Sequence, residues 1–198
     1  MSPIKRHPLL DGRSIPPRSV VRRPLILTAR FLLGWGPSST LISWRSGGLS
    51  HVDFLAADGS GYWSAYSVAV PGFIKGSIIA AGCRWRPLNY YGTPKSVQFV
   101  RIELTPEQWG GFWRLVEATE GRPYDKTGLI DTFVFMRQIR PPRDWREDDS
   151  FWCSEWWTWL LEGCKRIQPL HQFITHVDPG MALGITSSHA IERREPIL

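Results

Sequence analysis

Apolar and polar positions divide the chain into short stretches punctuated by glycine and proline rather than into long uniform ones. Residues 1–23 scatter charge around Pro16-Pro17 with no apolar period, and read as a poorly ordered arm. Pro24-Leu25-Ile26-Leu27-Thr28-Ala29-Arg30-Phe31-Leu32-Leu33 is an apolar run broken by Arg30, which fits a first strand or a short helix. After the turn Gly34-Trp35-Gly36-Pro37, Ser38 or Ser39 caps a short helix through Leu41, Ile42 and Trp44, closed by Gly47-Gly48. Residues 50–56 and 61–68 flank Asp58-Gly59-Ser60-Gly61 and predict a hairpin. Residues 69–94 are too broken for more than a short element around 77–80. Val97–Leu104 predicts a strand whose imperfect alternation suits burial on both faces. Thr105-Pro106-Glu107-Gln108 combines a cap, a proline at the first helical position and a capping-box amide, so a helix runs to about Thr119 and ends at Gly121. Further helices are predicted over Thr127–Arg137 and Ser150–Cys164, with a loop over 139–149 and a weakly patterned tail after 178. The pattern is α+β.

A chain of 198 residues with 42% hydrophobic content can bury one substantial core, so the expectation is a single domain over 24–198 behind the 1–23 arm. The net charge of +6 is uneven: residues 1–30 hold seven basic side chains against Asp11 alone, which leaves 17 basic and 17 acidic groups in the remainder. A solvated arm accounts for the basic leader, and neither nucleic-acid nor membrane-surface binding is expected as its main role. The 24–33 run lacks a signal-peptide cleavage pattern, and nothing approaches the roughly 18 apolar residues of a membrane span, so a cytoplasmic location is expected. Three cysteines without a close pair fit a reducing compartment. No metal-ligand motif stands out, His171 and His176 lacking a nearby cysteine, and no cofactor is expected.

Cys153 carries the most chemical interest. In Ser150-Phe151-Trp152-Cys153-Ser154-Glu155 a Ser150 cap places the thiol in a first helical turn, where unpaired N–H groups and the helix dipole favour a thiolate. Equally, Cys153, Trp157, Leu160, Leu161 and Cys164 share one helical side, so the thiol can be simply the first buried residue of an amphipathic helix. In Leu49-Ser50-His51-Val52-Asp53-Phe54-Leu55, His51 and Asp53 share a strand face, so the carboxylate can brace the imidazole or be a neighbour without a role. Cys164 reads as core, and Cys83 as a loop or edge residue.

Four pieces together resemble the circularly permuted branch of the NlpC/P60 superfamily, a papain-like fold that includes the YiiX/YebB-like proteins and, more distantly, lecithin retinol acyltransferases. Ser39-Thr40-Leu41-Ile42-Ser43-Trp44 is similar to the helix before the first core strand, and Gly48-Leu49-Ser50-His51-Val52 to the strand bearing the catalytic histidine. Gly121-Arg122-Pro123-Tyr124-Asp125 resembles the Gly-x-x-Tyr-Asp turn, and Phe151-Trp152-Cys153-Ser154-Glu155 the helix start bearing the nucleophile. His176-Val177-Asp178-Pro179-Gly180 is similar to a late Pro-Gly-Asp-type loop. The resemblance spans residues 31–183 and implies a small antiparallel sheet packed against helices, with the nucleophile at a helix N-terminus.

The resemblance further implies a cysteine hydrolase that cleaves an amide, most naturally in peptidoglycan peptide, in a bacterial or phage protein. Cys153 would form a thioester and His51 would act as general base and then acid. Tyr62-Trp63-Ser64-Ala65 places Ser64 where the family carries a polar third residue; a serine accepts a hydrogen bond but brings no charge, so Ser64 or Asp53 is the candidate orienter. Tyr124, Trp152 and Trp156 are candidates for substrate contact, and Asp125 and Glu155 for structural roles beside the site. A non-catalytic peptide- or lipid-binding module and a lipid acyltransferase or thioesterase remain alternatives.

Overall fold

The computed structural model describes residues 24–35, 37–68, 70–71, 78–126, 150–170 and 177–194. The 1–23 arm, the helix expected over Thr127–Arg137, the 139–149 loop, His171 and His176 lie outside the described residues. The architecture is α+β. A six-stranded sheet has the order β6-β3-β2-β1-β7-β8, and each of its neighbouring pairs is antiparallel. Its strands are β1 (Leu25–Leu33), β2 (His51–Leu55), β3 (Gly61–Tyr66), β6 (Gly82–Pro87), β7 (Ser96–Leu104) and β8 (Glu192–Arg194). β4 (Val70–Pro71) and β5 (Ile78–Ile79) form a separate short ribbon. The helices are α1 (Pro37–Arg45), α2 (Pro106–Thr119), α3 (Cys153–Gly163) and α4 (Pro179–Ser187).

Register sorts the side chains onto two faces, because a pleated strand alternates them. Ala29 pairs with Phe54 and with Val100, and Phe31 pairs with Val52. This apolar face joins Phe112, Trp113 and Val116 of α2 with Trp156, Trp157, Leu160 and Leu161 of α3 in one core. Phe54 is its hub, with ring centroids 5.1 Å from Phe112, 5.4 Å from Trp156 and 5.5 Å from Trp157. On the opposite face Arg30 pairs with Asp53, Leu32 with His51, and Ser64 with Arg84. That face is polar yet buried, since Arg30, His51, Asp53, Ser64 and Arg86 are all withdrawn from solvent.

Four sequence expectations are corrected. The 24–33 run takes its strand alternative, as β1, and because that strand lies in the middle of the sheet ahead of α1, β2 is not the first core strand. Residues 82–87, expected to be irregular, form β6 at the sheet edge, with Cys83 fully buried in it. β7 is not buried on both faces: Val100, Ile102 and Leu104 are core while Glu103 is exposed. The tail beyond 178 forms α4, where Asp178 accepts from Met181 N–H and Pro179 opens the helix, and then β8. The α2 start is as its sequence dictates: Thr105 and Gln108 satisfy each other's backbone N–H groups in a capping box. Among the described residues no helix is long and apolar enough to cross a membrane.

Candidate functional site

Cys153 is the first residue of α3, but Ser150 does not cap the helix; the cap position is Trp152, which makes no side-chain capping bond. The reason lies one residue earlier. Phe151 is held by a parallel bridge to Tyr124: its N–H donates to the Pro123 carbonyl, and its own carbonyl accepts from Asp125 N–H. The Gly121–Asp125 turn also docks on β6, where Cys83 N–H donates to Arg122 O and Gly121 N–H to Cys83 O. A third segment joins them, since the Val177 carbonyl accepts from Trp152 Nε1 at 2.9 Å and from Ser154 Oγ at 2.6 Å. The Gly121–Asp125 turn, the start of α3 and Val177 are therefore one bonded assembly.

That assembly sets Cys153 against β2. The Val52 backbone N–H acts on the thiol as a hydrogen-bond donor, as do the N–H groups of Cys153 and Ser154 in the first turn. Val52 is available because the β2–β3 ladder pairs only Phe54 and Leu55 with Trp63 and Tyr62, leaving the His51 end of β2 outside it. His51 immediately precedes Val52, but its ring leaves the opposite face of the strand, so the thiol and the imidazole are linked through common neighbours rather than by a contact of their own among the described residues. The field of the thiol acts on Tyr66, Tyr91 and Tyr124, and the His51 ring stacks on Tyr91 at 5.2 Å and meets Tyr66 edge-on at 5.4 Å. Among the described residues no hydrogen bond joins the thiol directly to the imidazole.

The imidazole is held through Nε2, which lies 2.9 Å from Ser64 Oγ and 2.8 Å from the Tyr90 hydroxyl. Ser64 is thus within hydrogen-bond reach of the ring. Asp53 does not bond the ring, its nearer oxygen being 3.9 Å from Nε2. Instead the carboxylate takes two hydrogen bonds from Arg30, at 2.9 and 2.6 Å, and one from the Tyr90 hydroxyl at 2.6 Å. Arg30 also lies over the Tyr62 ring, 3.5 Å from its centroid. Tyr90 and Tyr91 come from the loop between β6 and β7, which is pinned by Tyr90 N–H to Pro87 O and Lys95 N–H to Leu33 O, with Gly92 at φ +72° in the turn. Sequence reasoning missed both tyrosines; the available signal was an adjacent aromatic pair in the turn Asn89-Tyr90-Tyr91-Gly92.

Electrostatics weigh against a ready thiolate and towards the buried-thiol alternative. Burial pushes the Cys153 thiol up to about 12, overcoming the three N–H groups that pull it down. Burial lowers His51 to about 3, with the positive fields of Arg30 and Arg86 adding to it. Both groups are almost inaccessible, His51 at 3% and Cys153 at 5% exposure, and at each burial favours the uncharged form. Arg30 is raised: burial opposes its charge, but the carboxylate and hydrogen bonds of Asp53 outweigh that. Asp53 is raised, by burial first, with Arg30 and Tyr90 pulling against it, and the two-pronged guanidinium contact favours the ionised form.

The remaining candidates fall as follows. Tyr124 is half-buried, and after burial the thiol and Glu155 are what most raise its hydroxyl. Asp125 and Glu155 are buried next to the N-terminus of α3. Trp152 and Trp156 belong to the interior, at 2% and 1% exposure, with ring N–H groups committed to Val177 O and Thr119 Oγ1. Cys164 is core and donates to Leu161 O. Among the described residues no group of three or more His, Cys, Asp or Glu side chains is placed to hold a metal ion. No family model matches this chain, and no curated protein matches it either.

Proposed function

We propose that the protein is a cysteine amidase of the permuted NlpC/P60, papain-like kind, acting on peptidoglycan peptide or a related peptide. The observation that carries the reading is that Cys153, at the start of α3 against Val52 N–H, shares Tyr66 and Tyr91 as neighbours with His51, whose Nε2 is tied to Ser64 and Tyr90. Because burial favours an uncharged resting pair, proton transfer must accompany bond formation. The Cys153 sulfur attacks the amide carbonyl as His51 takes the thiol proton. His51 then protonates the leaving amine as the C–N bond breaks, leaving a thioester. Water, deprotonated by His51, releases the acid and restores the thiol. N–H groups in the first turn of α3 supply donors for the tetrahedral oxygen.

Near-complete burial of both groups, in a site without a net negative charge to stabilise imidazolium, favours a second reading: a peptide- or lipid-binding module on the same frame. Digestion of purified muropeptides, followed by mass spectrometry, separates the two. New amine and acid termini with the wild type, absent with Cys153→Ala and with His51→Ala, establish the amidase. Retention of intact muropeptide on the protein without cleavage establishes the binder.

A further inference from the structure

The charged residue expected to steady His51 is missing from the ring's own contacts, and the structure supplies a route around it. Both hydrogen bonds of the imidazole among the described residues are made at Nε2, to Ser64 Oγ and to the Tyr90 oxygen. A tyrosine hydroxyl has one proton. The Tyr90 proton is committed to Asp53 Oδ2 at 2.6 Å, on a carboxylate that Arg30 grips through both oxygens. The Tyr90 oxygen therefore faces Nε2 as an acceptor, and at 2.8 Å a bare ring nitrogen there would set two lone pairs against each other.

We infer that Tyr90, directed by the Arg30–Asp53 pair, fixes His51 in the form protonated at Nε2 and so leaves Nδ1 as the basic nitrogen. Ser64 alone cannot make this choice, because a hydroxyl both donates and accepts and fits either tautomer. Tyr90, Asp53 and Arg30 are positioning residues. They transmit orientation without net charge, since the guanidinium neutralises the carboxylate. The tautomer stands on geometry alone; only the use of Nδ1 as the base for Cys153 rests on the amidase reading.

Long-range 1H–15N correlation of the histidine ring at pH 7.5, assigned to His51 by its loss in His51→Gln, reads the tautomer directly. The wild type is expected to show Nε2 protonated and Nδ1 with a free lone pair. Ser64→Ala should keep that pattern, while Tyr90→Phe should mix the two tautomers or reverse them. A wild-type ring protonated at Nδ1 overturns the inference, and so does an unchanged Nε2–H pattern in folded Tyr90→Phe. Should Tyr90→Phe fail to fold, the wild type and Ser64→Ala still decide: loss of the Nε2–H pattern in Ser64→Ala would transfer the role to the serine and refute the assignment to Tyr90. Muropeptide cleavage, followed in parallel, keeps the two claims apart. A correct tautomer in a protein that cleaves nothing refutes the amidase and leaves the relay standing.

Discussion

Acid should destabilise this protein through His51 in a way that a single substitution removes. The imidazole is buried and lowered from 6.5 to about 3, by burial first and then by Arg30 and Arg86. Between those values the unfolded chain binds a proton that the folded chain refuses, so stability rises with pH across the window. The contribution is complete above pH 6.5 and is lost as the pH falls towards 3. Each pH unit well inside the window is worth about 1.4 kcal/mol, and because the unfolded imidazole is already half protonated at 6.5, the fall from 6.5 to 4.5 removes roughly 2.3 kcal/mol. Carboxylates also titrate there, which is why the comparison must be differential. Urea unfolding of the wild type and of His51→Gln at pH 7.5, 6.5, 5.5 and 4.5 gives two stability curves. Any fixed cost of the substitution offsets the whole variant curve and cancels. The wild type is expected to lose about 2–3 kcal/mol more than the variant between pH 7.5 and 4.5. Parallel curves would refute the burial argument, because they would mean that His51 takes up its proton as readily folded as unfolded.

Three further outcomes follow from the same contacts. With its thiol pushed up to about 12, Cys153 should be alkylated by iodoacetamide at a rate that climbs about tenfold per pH unit from 6 to 9. Site-resolved mass spectrometry checks this, and a plateau below pH 8 would mean a stabilised thiolate. Asp53→Asn should destabilise by about 3–5 kcal/mol in urea unfolding, because Arg30 would remain buried without its counter-charge; a change below 1 kcal/mol would show that the guanidinium reaches water. Gly82→Ala should cost roughly 2 kcal/mol or more, since Gly82 has φ +108° and a Cβ there would collide with the Arg122 carbonyl oxygen. Thermal unfolding measures it, and an unchanged midpoint would contradict the docking of the 121–125 turn on β6.

What could be read from the sequence was what local chemistry decides. The α2 start was legible because Thr105, Pro106 and Gln108 act within one turn. The β2–β3 hairpin was legible from the Asp58–Gly61 turn, where Asp58 accepts from Ser60 N–H. β6 was not, because Cys83-Arg84-Trp85-Arg86 mixes cations into what is a buried strand, and Arg86 finds its partners in the Ile79 and Gly82 carbonyls. The start of α3 was misplaced for a tertiary reason, since Phe151 is drawn into the bridge with Tyr124 and so Ser150 cannot cap. At the site, the Ser64–His51 contact was expected only through the resemblance of Tyr62-Trp63-Ser64-Ala65 to a family stretch, whereas Tyr90 lies 39 residues from His51 and is delivered by a loop. Of the two readings open for Cys153, burial favours the core thiol over the thiolate, because burial is a property of the whole fold and here it outweighs the first-turn N–H groups.

The central claim is that Cys153 and His51 together move an acyl group. Intact-mass spectrometry after brief exposure to an activated acyl ester, quenched in acid and mapped by peptide digestion, addresses it most directly. The account predicts one acyl group on Cys153 that turns over in wild type, does not form on Cys153→Ala, and forms at least a hundredfold more slowly in His51→Ala, roughly the contribution of a positioned general base. No adduct on Cys153, or equal acylation rates with and without His51, would contradict it.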